Sequence, residues 1–221
     1  MKKIILLVLY LAVGSFALMG CSTSNEPFTQ KEYTADVSQI EEIGIDVRDR
    51  EIDVSISEDN QIHLVYFENS KETYDITVSD ENTLTVTSAS NKDWTDYVGT
   101  KPSAENRKIS LQIPNALINT LTLSTTNENI SLPSLTITGS ISISSNNGSI
   151  TFENLDVQNS LSLTVKNGDI EGTVIGSYDD FSIQSDIKKG ESNLPNNKSG
   201  GDKMLNVSGN NGDVNIDFVK E

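Results

Sequence analysis

The chain has one cysteine, one histidine and one tryptophan among 221 residues, and aromatic residues make up only 6% of it. Each scarcity excludes something. A lone Cys21 permits no intrachain disulfide and no thiolate metal cluster. The lone His63 would have to carry any Ser-His-Asp triad or histidine-rich metal site alone, and its place in "NQIHLVYF" reads as a surface or strand-end position. No G-x-S-x-G, H-E-x-x-H or phosphate-cradling glycine loop occurs. Basic residues are also few, 16 against 32 acidic ones, for a net charge of −16. Setting aside Lys2 and Lys3 leaves 14 basic residues and a net charge of −18. A surface that negative repels nucleic acid and anionic lipid head groups, so neither is expected as a partner.

No apolar run reaches the roughly 20 residues that a spanning helix needs. The first 21 residues, "MKKIILLVLYLAVGSFALMGC", have a basic head, an apolar run from Ile4 to Ala17 and a tail of small residues, which is the form of an export signal. The junction "LMGC" resembles the lipobox of bacterial lipoproteins, with Leu18 at −3, Gly20 at −1 and Cys21 at +1. The resemblance implies that Cys21 takes a diacylglycerol and palmitate and becomes the new N-terminus after cleavage. Two acyl chains are about what stable anchoring requires, at ~0.8 kcal/mol per buried CH₂. The expected location is the outer face of the bacterial cell membrane, with the lipid as the contact to the membrane.

What the chain has in abundance is alternation with period two: "EIDVSI", "HLVYF", "YDITV", "LTVTS" and "ISLQI" are rich in Ile, Val, Thr and Ser, as strands with one buried face are. In the C-terminal half the alternation repeats. Segments starting at Leu121, Ile141, Leu161 and Leu205 carry apolar residues at the first and third places, followed by turns at Asn127, Asn147-Gly148, Asn167-Gly168 and Asn211-Gly212. A degenerate copy starts at Phe181, with two extra residues before its turn Gly190, so that successive starts lie 20, 20, 20 and 24 residues apart. Position-by-position equivalence is what a parallel β-solenoid requires, because each coil stacks like side chains on those of the next. Asn-Gly then serves as a corner, where glycine permits φ > 0 and asparagine tolerates it. The fold class expected is therefore all-β, a single-chain β-helix-like solenoid with 20–24-residue repeats. At that repeat, about 180 residues give about nine coils and a rod of roughly 40 Å. The alternative is an antiparallel β-meander or sandwich, since Asn-Gly between alternating runs is also a hairpin signal.

The domain reading is a signal peptide over 1–20, a lipidated tether over 21–36 and one solenoid domain over 37–221. Within that domain a looser part (37–90) and a polar loop (91–108) precede the regular repeats (109–219). The run "LTVTS…W…ISLQIP…LTLSTTNENISL…ISISSNNGSITFENL…LSLTVKNGDIEGTV…LNVSGNNGDVNIDF" resembles the bacterial putative-adhesin domain family, also called DUF4097, over residues 40 to 219. That resemblance implies a β-helix-like fold, export and a place in the cell envelope. The corner Lys188-Lys189-Gly190 departs from the family's pattern.

Three groups of residues are candidates for contact with other molecules. Trp94 and Tyr97, in the polar loop, are contacts for a sugar or protein partner, or else Trp94 plugs one end of the core. The corner residues Asn147, Gly148, Asn167, Gly168, Asp169, Asn211, Gly212 and Asp213 read first as turn chemistry. Their stacked oxygens are alternatively a hard site for Ca²⁺. Acid pairs such as Asp179 and Asp180 are of the kind that cleave glycosides. With 32 acidic residues they also arise by chance, so the chain is read as no enzyme, with no catalytic residue, no resident metal and no cofactor beyond the lipid on Cys21. The function expected is a non-catalytic adhesin-like interaction or scaffold module for an envelope, cell-wall or surface protein or glycan. The alternatives are a sensory or regulatory part of an envelope-stress response, and a carbohydrate-active enzyme. Partner identity, oligomeric state and solenoid handedness are left open by the sequence.

Overall fold

A computed structural model describes residues 26–90 and 102–220. Cys21, Trp94 and Tyr97 lie outside the described residues. Among those described there is no α-helix, only eighteen strands and 3₁₀ turns at Val37–Gln39, Glu105–Arg107 and Tyr178–Asp180.

The N-terminal strands are β1 (Thr29–Asp36), β2 (Glu42–Asp46), β3 (Glu51–Ile56), β4 (Gln61–Glu68), β5 (Glu72–Val78), β6 (Thr83–Ser90) and β7 (Lys108–Ile113). The repeats supply β8 (Thr120–Thr125), β9 (Ile130–Leu132), β10 (Leu135–Ile137), β11 (Ser140–Ser145), β12 (Ile150–Val157), β13 (Ser160–Asn167) and β14 (Ile170–Ile175). The chain ends with β15 (Phe181–Ile187), β16 (Asn197–Lys198), β17 (Lys203–Asn211) and β18 (Val214–Val219). Two nine-stranded sheets result. One runs β1-β4-β7-β3-β9-β12-β14-β18 with β10 beside β12, and the other runs β16-β15-β17-β13-β11-β8-β2-β6-β5.

Through the middle of both sheets the ladders are parallel, and like residues stand side by side. Leu121, Ile141, Leu161 and Leu205 form one row, and Ile130, Ile150, Ile170 and Val214 form another. Alternation puts these residues inward on every strand, where all eight are buried. Each such Leu or Ile contributes about 1.5–3 kcal/mol on burial. The rows need identical spacing from coil to coil, which is why the sequence repeats itself. One irregularity is a bulge between Phe152 and Asn154, where β12 slips against β14. It lies where Phe152 stands over Gly172; a Cβ on that glycine would lie 2.3 Å from the ring.

The sheets are mixed, which corrects the expectation of a purely parallel solenoid. β1 with β4, β4 with β7, β5 with β6 and β15 with β16 are antiparallel. These strands close the two ends of the stack, so seven strands rather than about nine make up the parallel run of the second sheet. The polar segment read as tether is also shorter than expected, because Thr29–Asp36 pairs with β4 along its whole length. It escaped the pattern because an edge strand whose half-buried face is Lys31, Tyr33 and Ala35 needs no apolar row. Strand β7 likewise begins at Lys108, the last residue assigned to the loop, and pairs with β3 and β4.

Spatial order departs from chain order at both ends. β2 lies between β6 and β8, and β17 lies between β13 and β15. The last coil is thus inserted one layer in from the end. Its register corrects the 24-residue spacing: Ile183 stands beside Leu205, and Phe181 beside Lys203. Counted from Ile183, Gly190 falls at the same offset as the other turn glycines and no residue is extra.

Candidate functional site

The corner between the two sheets is a column built from side chains that the sequence singled out. Asn147 donates its amide to Asn127 Oδ1 at 2.6 Å, Asn167 to Asn147 at 2.7 Å and Asn211 to Asn167 at 2.6 Å. Asn127 in turn donates to the carboxylate of Asp49. Every amide points the same way, toward a charged acceptor at one end. A second column lies beside it. The backbone N–H of Ser149 donates to Asn129 Oδ1 (2.9 Å), Asp169 N–H to Ser149 Oγ (3.1 Å), Asp213 N–H to Asp169 Oδ1 (2.8 Å) and Glu191 N–H to Asp213 Oδ1 (2.8 Å).

Asp169 and Asp213, read alternatively as oxygens for Ca²⁺, are therefore engaged in holding neighbouring coils together. Among the described residues, no group of three or more His, Cys, Asp or Glu converges closely enough to hold a metal ion. The glycines complete the corner. A Cβ on Gly168 would lie 2.4 Å from the carbonyl oxygen of Gly148, and one on Gly212 2.0 Å from that of Gly168. Both glycines also have left-handed φ, 155° and 135°.

Two members of this corner were missed from the sequence. Asp49 occupies the place of the corner asparagines with φ 55°, a conformation Asp tolerates. The signal was there in "RDRE" between two alternating runs, but without glycine it does not read as a repeat. Next to it Arg50 is buried. Its Nε donates to the Tyr74 hydroxyl at 2.6 Å, Nη2 to Glu72 Oε2 at 2.5 Å and Nη1 to the Asp49 carbonyl at 3.1 Å. Burial pushes the Tyr74 hydroxyl up from its ordinary range. A buried guanidinium is tolerated because these donors are matched.

Two clefts lie beside the starts of the strands that depart from chain order, β2 and β17. Residues 114–119 cross the start of β2, where the Asn119 N–H donates to the Glu41 carbonyl, and a cleft of about 700 Å³ opens between Asp36, Glu41, Asp59, Gln61 and the half-exposed Leu117. Residues 176–180 cross the start of β17, beside a cleft of about 400 Å³ lined by Asp156, Gln158, Ser177, Asp180, Lys203 and Lys220. Three of the carboxylates that line them are already partnered. Asp156 meets Lys203 at 3.3 Å, Asp180 accepts from Ser177 N–H at 2.7 Å and Asp36 from Ser38 N–H at 2.9 Å. The Asp179–Asp180 pair does not act together, because the Asp179 side chain is 89% exposed and turns toward Lys198 at 3.9 Å.

The lone histidine lies within β4, not at a free strand end. His63 Nε2 is 3.1 Å from Asp59 Oδ1, and its Nδ1 is 3.4 Å from Thr34 Oγ1 and 3.6 Å from Glu32 Oε1. Ser57 is adjacent, but its hydroxyl donates to Asp59 Oδ1 at 2.8 Å. The hydroxyl therefore faces the acid and not the imidazole, so the histidine is not placed to take its proton.

Among solved structures, a putative cell adhesion protein from Clostridium sporogenes superposes with a TM-score of 0.61 and 14% identity, over 87% of this chain and 100% of that one. At that identity the likeness is one of fold. A putative adhesin from Bacteroides fragilis matches at 13% identity over 88% of this chain and 98% of its own, with a TM-score of 0.32. No curated protein matches the chain. The family model described as Toastrack DUF4097 matches residues 40–221. With its mixed sheets, its parallel ladders and its asparagine corner, the chain belongs to the Toastrack DUF4097 family.

Proposed function

We propose that the chain is an exported protein, fixed to the outer face of a bacterial membrane by lipid on Cys21, that holds another envelope or surface component along its stacked faces without catalysing a reaction. The observation that carries this reading is the corner column. The amides and carboxylates best placed for chemistry are spent joining one coil to the next, so what the molecule offers outward is a rigid, regular surface. A rod of this kind positions contacts and does not enclose a substrate. The putative cell adhesion protein from Clostridium sporogenes has a similar fold, which agrees with a surface role. The strong negative charge of the body keeps it off anionic head groups while the lipid holds its end down.

Cys21→Ser tests the anchor. It is expected to move the protein from the membrane to the soluble fraction and to abolish incorporation of labelled palmitate, and unchanged partitioning would overturn it. Crosslinking in living cells tests the binding role. Recovery of a specific wall or surface component supports it, and turnover of a glycan by the purified chain would replace it with an enzymatic reading.

A further inference from the structure

We infer that His63 is a proton-operated clasp that fastens strand β1 to the body of the rod. Strand β1 is an edge strand, and among the described residues it pairs with β4 alone. None of its residues is fully buried, since Tyr33 and Ala35 on its inner face are only half-covered. Its attachment therefore rests on backbone pairing, the half-buried side chains of Lys31, Tyr33 and Ala35, and the contacts of its outer face. Those contacts meet at His63, which stands opposite Thr34 in the register and is 21% exposed.

The imidazole lies between two carboxylates from different elements. Nδ1 faces Glu32 Oε1 on β1 at 3.6 Å, and Nε2 faces Asp59 Oδ1 in the β3–β4 turn at 3.1 Å. From the third side, β7 presents Gln112, which carries no charge. Asp36, farther along β1, is occupied by the Ser38 N–H. The charged groups facing His63 are thus both acidic. The Ser57 hydroxyl and the Gln61 N–H hold the Asp59 carboxyl below the usual carboxylate range, so Asp59 stays ionised wherever the imidazole changes charge.

A neutral imidazole has one N–H and can donate to only one of the two sides. If it donates to Asp59, its Nδ1 can accept only a long bond from the Thr34 hydroxyl and has no attraction for the Glu32 carboxylate; if it donates toward β1, the Asp59 bond is lost. The imidazolium donates to Asp59 while its charge is attracted by both carboxylates. The clasp is therefore closed when the imidazole carries its second proton and relaxes when that proton is lost, a change of charge that histidine side chains undergo between acid and neutral pH. The chain from residues 21–28 enters the fold through β1. Release of its eight residues would add up to roughly 26 Å of slack at this end. The clasp depends on β1, β4 and the turn before β4, so it holds or fails separately from the lipid on Cys21.

Hydrogen–deuterium exchange of the full chain in detergent, corrected for the intrinsic pH dependence, tests this. Protection of the β1 amides relative to those of β13 is expected to rise roughly two- to five-fold from pH 7.5 to pH 5.5, the scale of an exposed ion pair. His63→Gln, at a partly exposed site where the fold is retained, is expected to flatten the response, and Glu32→Gln to remove most of it. No rise in the native chain, or an equal rise in His63→Gln, would overturn the clasp.

Discussion

The corner glycines are not interchangeable with the glycine of β2. At Gly212 a methyl group would meet the carbonyl oxygen of Gly168 at 2.0 Å and sit on a left-handed backbone, whereas at Gly44 it would meet nothing within 4 Å. Gly212→Ala should cost about 3 kcal/mol, from strain and overpacking together. Gly44→Ala should leave stability within about 1 kcal/mol or raise it, by restricting the unfolded chain. Urea denaturation of the two variants measures the contrast, and equal midpoints would deny the close stacking at the corner. These positions were legible beforehand because Asn-Gly recurs at one offset after the apolar pairs that begin at Ile141, Leu161 and Leu205. Asp49 was not, since a corner without glycine leaves only one acid in a chain of 32. Phe181 misled for a different reason. It alternates correctly with Ile183 and is itself buried, so nothing in the local pattern shows that the row of Leu205 starts two residues later.

Strands that look alike in sequence differ in what depends on them. Excising Ile141–Ser160 removes one complete coil and brings Leu161 beside Leu121 in the register that Ile141 held. Every inner row stays continuous, and the shortened chain should unfold cooperatively with a lower midpoint. Ending the chain at Asp202 removes fewer residues but takes out, with the edge strand β18, the strand β17, which lies between β13 and β15 and pairs with both. β15 would then lose its parallel partner, and Leu161, Leu163 and Ile183 would lose the row of Leu205 and Val207 that covers them. Circular dichroism and urea melts should show loss of cooperative folding in the truncated chain and its retention in the excised one. The opposite ranking would contradict the intercalated order. That order was not legible, because a repeat made to stack on any copy of itself does not state which copy it meets. The antiparallel end strands were hidden similarly: β1 buries too little to show an inner face, and β5 alternates like any parallel strand.

For the whole molecule, two effects compete as the solution is acidified. Approach to the isoelectric point, near 4.3, relieves the mutual repulsion of an acidic surface and favours the folded state. Against this, the Asp53 carboxyl is held below its ordinary range: burial opposes its charge, but hydrogen bonds from Lys108 and Ser131 outweigh that cost. Asp36 and Asp59 are lowered by bonds from Ser38 and from Ser57 respectively. A carboxyl lowered in the folded state contributes stability that is complete above its unfolded value, about 3.9, and is lost as pH falls through the folded one. At physiological salt, exposed charges are screened beyond about 8 Å, whereas these bonds act in contact, so the local loss should win. Stability from urea melts should hold nearly level from pH 8 to 5 and fall below about pH 4, more shallowly in Asp53→Asn. A rise below pH 4 would show that repulsion dominates. The inserted coils bear on a different hazard. A rod wound in simple order can be nibbled from its tail, each lost turn exposing the next. Here β17 is wedged between two older strands, so an exopeptidase that trims the edge strand β18 next meets a strand gripped on both flanks, and unravelling beyond it must begin by prising apart layers that were laid down earlier.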